Sequence, residues 1–259
     1  MNRINKLFSE KKGNILSVFF TAGYPELDST KFIAKALADA GVDLIEIGIP
    51  FSDPIADGPT IQQSNKTAID NGMTVKLLLE QVREIRKEIS IPIILMGYLN
   101  PVLQYGFEKF CKEAAANGVD GLILPDMPME EYLMEYKAMM ESSNLFNTFL
   151  ISPTTSMERI RKIDNETSGF IYAVSSSSTT GAKNGFTSDQ EMYFKNLQSL
   201  QLKNSFLIGF GISSNQTYSK ACQYSSGVII GSAFINLVKD STDLKADIRQ
   251  FIRSIRAGS

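Results

Sequence analysis

Eight short apolar segments recur along this chain, and each is followed by a stretch with the spacing of an amphipathic helix. These segments are predicted to be strands, and they lie at 15–23, in the first half of 44–59, and at 91–98, 121–126, 146–151, 170–175, 206–211 and 227–232. Strict alternation of strands and helices predicts a parallel sheet, and eight repeats in 259 residues favour a closed barrel over an open sheet. We therefore predict a single (β/α)8 TIM barrel domain over residues 1–259.

Amphipathic helical spacing fills the intervals between these strands. It predicts helices at 2–12, 27–40, 60–70, 74–89, 105–116, 129–142, 156–163 and 242–256. The pattern Ser188-x-x-Glu191 predicts a capping box that opens one more helix. The helix at 2–12 precedes the first strand, so it is an extra N-terminal element that could close one end of the barrel.

Histidine is absent from all 259 residues. Its absence from the sequence excludes the Ser-His-Asp and Cys-His catalytic arrangements and zinc sites built on imidazole. Acid–base chemistry must then fall to Asp, Glu, Lys, Tyr or Cys side chains. A magnesium site made of carboxylates alone has no motif behind it, so no metal is predicted.

The charge balance gives no reason to expect a polyanionic partner. The 26 Lys and Arg residues are offset by 28 Asp and Glu residues, so neither nucleic acid nor a membrane surface is expected. The opening residues lack the apolar core of a signal peptide, and no apolar run is long enough to span a bilayer. Cys111 and Cys222 lie far apart and are expected to be idle thiols in a reducing compartment. These features predict a cytoplasmic protein.

The stretch 44–59 combines a buried strand with a proline-rich loop. Glu46 lies among apolar residues of the strand, where an unpaired charge costs several kcal/mol. No structural need for this carboxylate is visible, so Glu46 is predicted to be functional. Asp57, which precedes Gly-Pro, is by itself ordinary turn chemistry. Asp53 and Asp126 are expected to be caps or rim residues.

In a TIM barrel the loops after the strands build the functional site. Glycine-containing turns end the last two predicted strands, at Gly209-Phe210-Gly211 and at Gly231-Ser232, and each turn leads into a helix. Backbone N–H groups in such places suit a phosphate, and Gly181 could contribute a third contact. For Tyr172 the sequence leaves two roles equally open, packing in the core and lining a ligand site. Three apolar residues at strand ends could line a site for a flat hydrophobic ligand, and packing in the core explains each of them equally well. They are Phe20, Met96 and Phe210.

These residues carry a family resemblance. The segment from Ile45 to Gly58 reads Ile-Glu-Ile-Gly-x-x-Phe-Ser-Asp-Pro-Ile-Ala-Asp-Gly and resembles, without a break, the signature of the tryptophan synthase α subunits. The resemblance extends along the chain through five further motifs: Phe20-Thr21-Ala22-Gly23-Tyr24-Pro25, Met96-x-Tyr98-x-Asn100-Pro101, Thr180-Gly181, Gly209-Phe210-Gly211-Ile212 and Gly231-Ser232-Ala233.

The resemblance implies a lyase of tryptophan biosynthesis that cleaves indole-3-glycerol phosphate to indole and glyceraldehyde 3-phosphate. It implies no cofactor in this chain and a β-subunit partner in an α2β2 complex, where pyridoxal phosphate joins the indole to serine. Glu46 would be the catalytic acid and base, and Asp57 would engage the indole nitrogen. The implied substrate contacts are Phe20, Met96, Tyr172, Thr180, Gly181, Phe210, Gly211, Gly231 and Ser232.

The chain departs from the family pattern in the loop after the sixth strand. Many members carry Arg and Gly where this chain has Ser176 and Ser178, so the departure concerns how this loop closes rather than the chemistry. The stiff loop 50–59 joins Glu46 to Asp57. Together with the rim at Asn100-Pro101, this loop is expected to face the β subunit.

The residues alone leave two other classes of protein open. Another phosphate-binding barrel enzyme, such as a sugar-phosphate isomerase or an indole-glycerol phosphate synthase, would usually place a lysine or a second acid pair at strand ends. The strand ends here show no lysine. A non-catalytic chain that only binds a ligand or a partner would be expected to lack Glu46 or Asp57, and this chain has both.

Overall fold

The computed structural model describes residues 1–175 and 185–257. Within these ranges one parallel sheet contains nine strands: β1 (Ile15–Thr21), β2 (Leu44–Gly48), β3 (Ile93–Met96), β4 (Gly121–Ile123), β5 (Phe146–Asn147), β6 (Leu150–Ile151), β7 (Ile171–Val174), β8 (Phe206–Gly209) and β9 (Gly227–Ile230). Their spatial order is β5-β4-β3-β2-β1-β9-β8-β7-β6.

The sheet closes through the segment 146–151, which was predicted as a single fifth strand. Its first half, β5, pairs with β4, and its second half, β6, pairs with β7. Thr148 N donates to Leu122 O at 3.1 Å, and Tyr172 N donates to Phe149 O at 3.0 Å. Because one segment bonds to both edges, the sheet is a closed barrel, and the predicted (β/α)8 fold is confirmed.

Helices cover the outside of this barrel. Their bounds are α1 (Arg3–Glu10), α2 (Ser29–Asp39), α3 (Pro59–Asp70), α4 (Val75–Arg86), α5 (Leu99–Tyr105), α6 (Phe107–Ala116), α7 (Met129–Glu131), α8 (Lys137–Ser142), α9 (Met157–Glu166), α10 (Ser188–Ser199), α11 (Asn215–Cys222), α12 (Ser232–Asp240) and α13 (Leu244–Ala257). A π-helical turn, Tyr132–Tyr136, joins α7 to α8. None of the helices in the described ranges is long and apolar enough to span a bilayer.

Two details of the helices differ from the prediction. The helix predicted at 105–116 is broken at Gly106, which has a φ of +93°, a left-handed conformation that favours glycine. The preceding helix α5 starts at Leu99, whose backbone N–H donates to Asp126 Oδ1 at 2.9 Å, so Asp126 satisfies the first backbone donor of this helix. The predicted capping box at 188–191 is wrong by one residue, since Thr187 and Gln190 form it.

Apolar side chains form two layers, one inside the barrel and one between the sheet and the helices. Because side chains alternate along a strand, every second residue of each strand belongs to the inner layer. The inner layer contains Ile15, Leu44, Ile94, Ile123, Phe170, Tyr172, Leu207 and Ile229. Their sequence neighbours on the strands pack outward against the helices.

Helix α1 closes the amino end of the barrel, as its amphipathic spacing suggested. Ile4 is fully buried in the inner layer, and Leu7 and Phe8 pack against the same layer. The Phe8 ring stacks on Phe170 with 5.6 Å between centroids. With the amino end filled by α1, the opening toward a ligand lies at the carboxyl ends of the strands.

Candidate active site

Glu46 lies at the centre of β2 and faces the inside of the barrel. Its neighbours Ile45 and Ile47 pack outward against the helices, which fixes Glu46 on the inner face. The register of the sheet pairs Glu46 with Phe19 of β1 and with Ile94 of β3. The carboxyl group is therefore surrounded by strands on both sides.

The Glu46 carboxyl is fully buried and has a single hydrogen-bond partner among the described residues. Ser17 Oγ donates to Oε1 at 2.7 Å, whereas Oε2 has no partner. Burial raises the pKa of Glu46 from 4.5 to about 7, and the Ser17 hydrogen bond opposes this rise. A carboxyl group with this pKa can give and take a proton near neutral pH, as a general acid and base must.

Asp57 lies half-buried on the loop between β2 and α3, and Tyr98 holds it from the end of β3. Tyr98 Oη donates to Asp57 Oδ2 at 3.2 Å and accepts from the Ala56 backbone N–H at 3.0 Å. Burial raises the pKa of Asp57, and the Tyr98 hydrogen bond lowers it. The pKa of Tyr98 is raised to about 12, first by burial and then by Asp57, so the hydroxyl remains a donor.

Further contacts hold the loop that carries Asp57. Phe51 N donates to Asn65 Oδ1 at 3.2 Å, and Gln62 Nε2 donates to the backbone oxygen of Asp57 at 2.8 Å. The rings of Phe51 and Tyr98 lie 5.1 Å apart. Because α3 and the end of β3 both bind the loop, Asp57 has a defined position relative to β2.

Tyr172 lies inside the barrel, in the inner apolar layer. It is 3% exposed, and a Cβ atom on Gly209 of the neighbouring strand would overlap its hydroxyl, so glycine is needed there. Burial raises the pKa of Tyr172 well above its ordinary value, and the charges of Glu46 and Asp57 raise it further. Both carboxylates therefore act electrostatically on the same hydroxyl.

The structure contradicts the prediction that Phe20 lines the ligand site. Phe20 is 1% exposed and packs in the outer layer against the helices, because β1 alternates and Ser17 faces inward. Its neighbour Phe19 is half-buried and faces the opening, where Cβ atoms on Gly48 and Gly231 would lie 2.7 Å and 3.8 Å from its ring. Phe19 thus occupies the position that was assigned to Phe20.

Met96 and Phe210 are found near the opening, as expected. Met96 is half-buried against the inner layer. Phe210 is 38% exposed, and its ring meets that of Tyr172 edge-on with 6.3 Å between centroids. The φ of Phe210 is +69°, a strained conformation for a bulky residue, and Ser175 Oγ donates to its backbone oxygen at 2.9 Å.

Three of the residues predicted to contact a phosphate lie in the turns after β8 and β9: Gly211, Gly231 and Ser232. Gly211 has a φ of +74°, which favours glycine, and Gly231 is the N-terminal cap of α12, whose first residue is Ser232. The first backbone N–H groups of a helix have no partner within it and suit an anion. Thr180 and Gly181 lie outside the described residues.

The two cysteines and Asp53 complete the set of residues singled out from the sequence. The buried Cys111 thiol has a pKa raised to about 12 by burial, and burial raises that of Cys222 to about 11. Both values keep the thiols protonated at neutral pH. Asp53 is exposed on the loop. Within residues 1–175 and 185–257, no group of three acidic or cysteine side chains could hold a metal ion.

A closed barrel with a carboxyl group buried inside it and a second carboxylate on a loop at the carboxyl ends of its strands has the architecture of a (β/α)8-barrel enzyme. A sequence model described as tryptophan synthase alpha chain matches residues 5–256, and the chain belongs to that family. The activity of the family is the cleavage of indole-3-glycerol phosphate, a lyase reaction of tryptophan biosynthesis.

Named relatives are similar over their whole length. The tryptophan synthase alpha chain of Flavobacterium johnsoniae is 53% identical, with 99% of this chain and 100% of the relative covered. That of Parabacteroides distasonis is 50% identical, with 99% and 100% covered. A chain of Mycobacterium tuberculosis tryptophan synthase has a TM-score of 0.90 at 29% identity, with 99% of this chain and 98% of that chain covered. Tryptophan synthase subunit alpha of Legionella pneumophila has a TM-score of 0.89 at 32% identity, with 100% and 98% covered.

Proposed function

We propose that Glu46 and Asp57 carry out the family reaction at the opening of this barrel, releasing indole and glyceraldehyde 3-phosphate from indole-3-glycerol phosphate. The observation that carries the proposal is the fully buried Glu46 carboxyl, with a pKa of about 7 and with Oε2 free of hydrogen bonds among the described residues. A group in this state is able to act as an acid and then as a base in one turnover.

In the first step, neutral Glu46 donates its proton to C3 of the indole ring. The ring nitrogen then carries positive charge, and ionised Asp57 stabilises it. The Tyr98 hydrogen bond supports this role because it favours the ionised form of Asp57. The mechanism needs neutral Glu46 and ionised Asp57 at the same pH; the apolar barrel favours the neutral form of Glu46, and the Tyr98 hydrogen bond favours the ionised form of Asp57.

In the second step, the ionised Glu46 takes the proton of the glycerol hydroxyl next to the ring. The carbon–carbon bond breaks as the hydroxyl becomes the aldehyde carbonyl. The electron pair of the broken bond returns to the indole ring and neutralises the ring nitrogen. Glu46 has then given one proton and regained one, so the enzyme returns to its starting state.

Phosphate binding would anchor the substrate during both steps. We assign the phosphate to the backbone N–H groups around Gly211, Gly231 and Ser232, with Thr180 and Gly181 as further expected contacts. Fixing the phosphate holds the bond to be cleaved close to Glu46, so binding energy far from the reacting atoms lowers the barrier. Phe19, Met96, Tyr172 and Phe210 would surround the indole ring.

We also infer a β-subunit partner, in an α2β2 complex in which the partner carries the pyridoxal phosphate. The similar Mycobacterium tuberculosis chain is part of a tryptophan synthase structure, which supports a partner subunit. The loop between β2 and α3 presents Ile55, an isoleucine that is 88% exposed, only two positions before Asp57. An exposed apolar residue on this loop suits a protein interface and couples the interface to the carboxylate.

The test is to offer indole-3-glycerol phosphate to the purified chain and to measure indole and glyceraldehyde 3-phosphate. Both products should form in equal amounts, and a β subunit should increase the rate. Simple sugar phosphates, offered in parallel, should remain unchanged. Failure to release indole from the correctly folded chain, both alone and with a β subunit, would contradict the proposal.

A further inference from the structure

Ser17 is a fully buried serine on β1 that faces the inside of the barrel. Its register partner on β2 is Leu44, so Ser17 lies one inward-facing position closer to the amino end than Phe19, which is paired with Glu46. The inward-facing neighbours Ile15 and Phe19 are apolar. The Ser17 hydroxyl donates to Glu46 Oε1 at 2.7 Å, its one side-chain hydrogen bond among the described residues.

A buried hydroxyl in an apolar interior is destabilising unless it is hydrogen-bonded, and a charge-assisted bond to a carboxylate is among the stronger ones. This bond occupies one of the two carboxyl oxygens and restricts rotation of the Glu46 side chain. Building on the function proposed above, we propose that Ser17 is a positioning residue for Glu46. Its hydroxyl holds Oε1, so that Oε2 is the oxygen that gives and takes the substrate proton.

The hydrogen bond is compatible with both protonation states of Glu46. In the neutral acid, Ser17 donates to Oε1 as to a carbonyl oxygen, and the proton is carried by Oε2. After proton transfer to the substrate, the same bond stabilises the carboxylate, and Oε2 accepts the next proton. The hydroxyl does not have to turn during the reaction, so the site is preorganised for both steps.

Few other polar groups face this carboxyl group. Tyr172 on β7 is titratable, and Asp57 on the loop after β2 acts on that same tyrosine. The inward-facing side chains on β3 and β9 are apolar: Ile94, Met96 and Ile229. Burial raises the pKa of Glu46, and the hydrogen bond from Ser17 lowers it. Removing this hydrogen bond should therefore raise the pKa of Glu46 above about 7.

The test is the kinetics of indole release by Ser17→Ala as a function of pH. We expect kcat to fall about 10-fold to 100-fold with little change in KM, because a hydrogen bond to a charged group is lost. The alkaline limb of kcat/KM, set by neutral Glu46, should move up by roughly one pH unit. Ser17→Thr, which keeps the hydroxyl, should restore most of both quantities.

The matched control is Ser225→Ala. The Ser225 hydroxyl also donates to buried partners, the backbone oxygens of Ala221 and Gly227, at 3.0 Å and 2.8 Å, but it precedes β9 at the amino end of the barrel. This variant should leave kcat and the pH profile unchanged. Carbon-13 NMR of the Glu46 carboxyl, assigned with Glu46→Gln, measures the pKa in wild type and Ser17→Ala without reference to turnover.

Three outcomes distinguish the hypotheses. A folded Ser17→Ala enzyme with unchanged or increased kcat and an unshifted alkaline limb would overturn the role of Ser17. If Glu46→Gln is inactive in the same assay, only the Ser17 inference has failed. If Glu46→Gln retains turnover, the proposed function of Glu46 itself has failed.

Discussion

The Tyr98 hydroxyl donates to Asp57 Oδ2 at 3.2 Å, which ties the loop after β2 to the end of β3. The same hydroxyl accepts the backbone N–H of Ala56, so it binds the loop at two consecutive residues. Asp57 is therefore held from outside its own loop. This contact predicts that Tyr98, which follows β3, controls the charge of Asp57 on the loop after the neighbouring strand β2.

Tyr98→Phe removes this hydrogen bond and keeps the ring. The bond lowers the pKa of Asp57, so its loss should raise that pKa, and the acidic limb of the rate profile should move to higher pH. We expect kcat to fall about 10-fold. Tyr105→Phe is the control, because the Tyr105 hydroxyl bonds to Glu113 between α5 and α6. An unshifted acidic limb in Tyr98→Phe would refute the coupling.

Asp57→Asn keeps the size of the side chain and removes its charge. We expect a loss of about 2–4 kcal/mol of transition-state stabilisation, seen mainly in kcat, because the charge matters once the ring nitrogen becomes positive. Asp53→Asn removes a carboxylate from the exposed part of the same loop and should have little effect on basal turnover. A defect of Asp57→Asn confined to KM would instead assign Asp57 to ground-state binding.

Phe19 and Phe20 should respond differently to substitution by leucine. Phe19→Leu should raise KM for the indole substrate with little loss of stability, since Phe19 faces the opening. Phe20→Leu should lower the free energy of unfolding by on the order of 1 kcal/mol and leave KM unchanged, because Phe20 packs in the outer layer. Denaturant unfolding and steady-state kinetics on both variants check this. The reverse pattern would mean that β1 faces the other way.

Glu46 should make the stability of the protein depend on pH. Its pKa is about 7 in the folded chain and 4.5 as a reference, so the folded state holds a proton that the unfolded state releases between these values. The stability from this proton is fully present below pH 4.5 and is lost as pH rises through about 7. The loss amounts to ~3 kcal/mol.

Glu46→Gln removes this titration, so its stability relative to wild type should rise by that amount from acid to neutral pH. Glu10→Gln, which changes an exposed glutamate on α1, is the matched control. Denaturant unfolding at several pH values measures both. A flat difference for Glu46→Gln would show that the buried carboxyl has an ordinary pKa.

The barrel could be predicted because its signal is local and repeated. Each strand is a short apolar run and each helix has its own spacing, so alternation along the chain specifies the topology. Glu46 was recognisable because a carboxylate inside such a run has no local explanation. Asp126 was expected to be a cap or a rim residue, and its carboxylate accepts the backbone N–H of Leu99, the first residue of α5.

The residues that sequence reasoning missed depend on contacts between strands. Ser17 reaches Glu46 across the ladder between β1 and β2, and Tyr98 reaches Asp57 from β3, so neither contact follows from spacing along the chain. Phe20 was chosen instead of Phe19 because the sequence did not show which alternate residues of β1 face the inside of the barrel. Apart from Ser17 and Thr21, β1 is apolar on both faces, so its two faces look alike in the sequence. The inward direction of Ser17 in the structure distinguishes them.

The most direct test of the central claim compares wild type with Glu46→Gln in two measurements on the same preparations. One is the release of indole from indole-3-glycerol phosphate, and the other is the affinity for glycerol 3-phosphate. If Glu46 transfers the protons, the variant should bind the phosphate ligand about as tightly as wild type and release no measurable indole. Near-native indole release by Glu46→Gln would contradict the account.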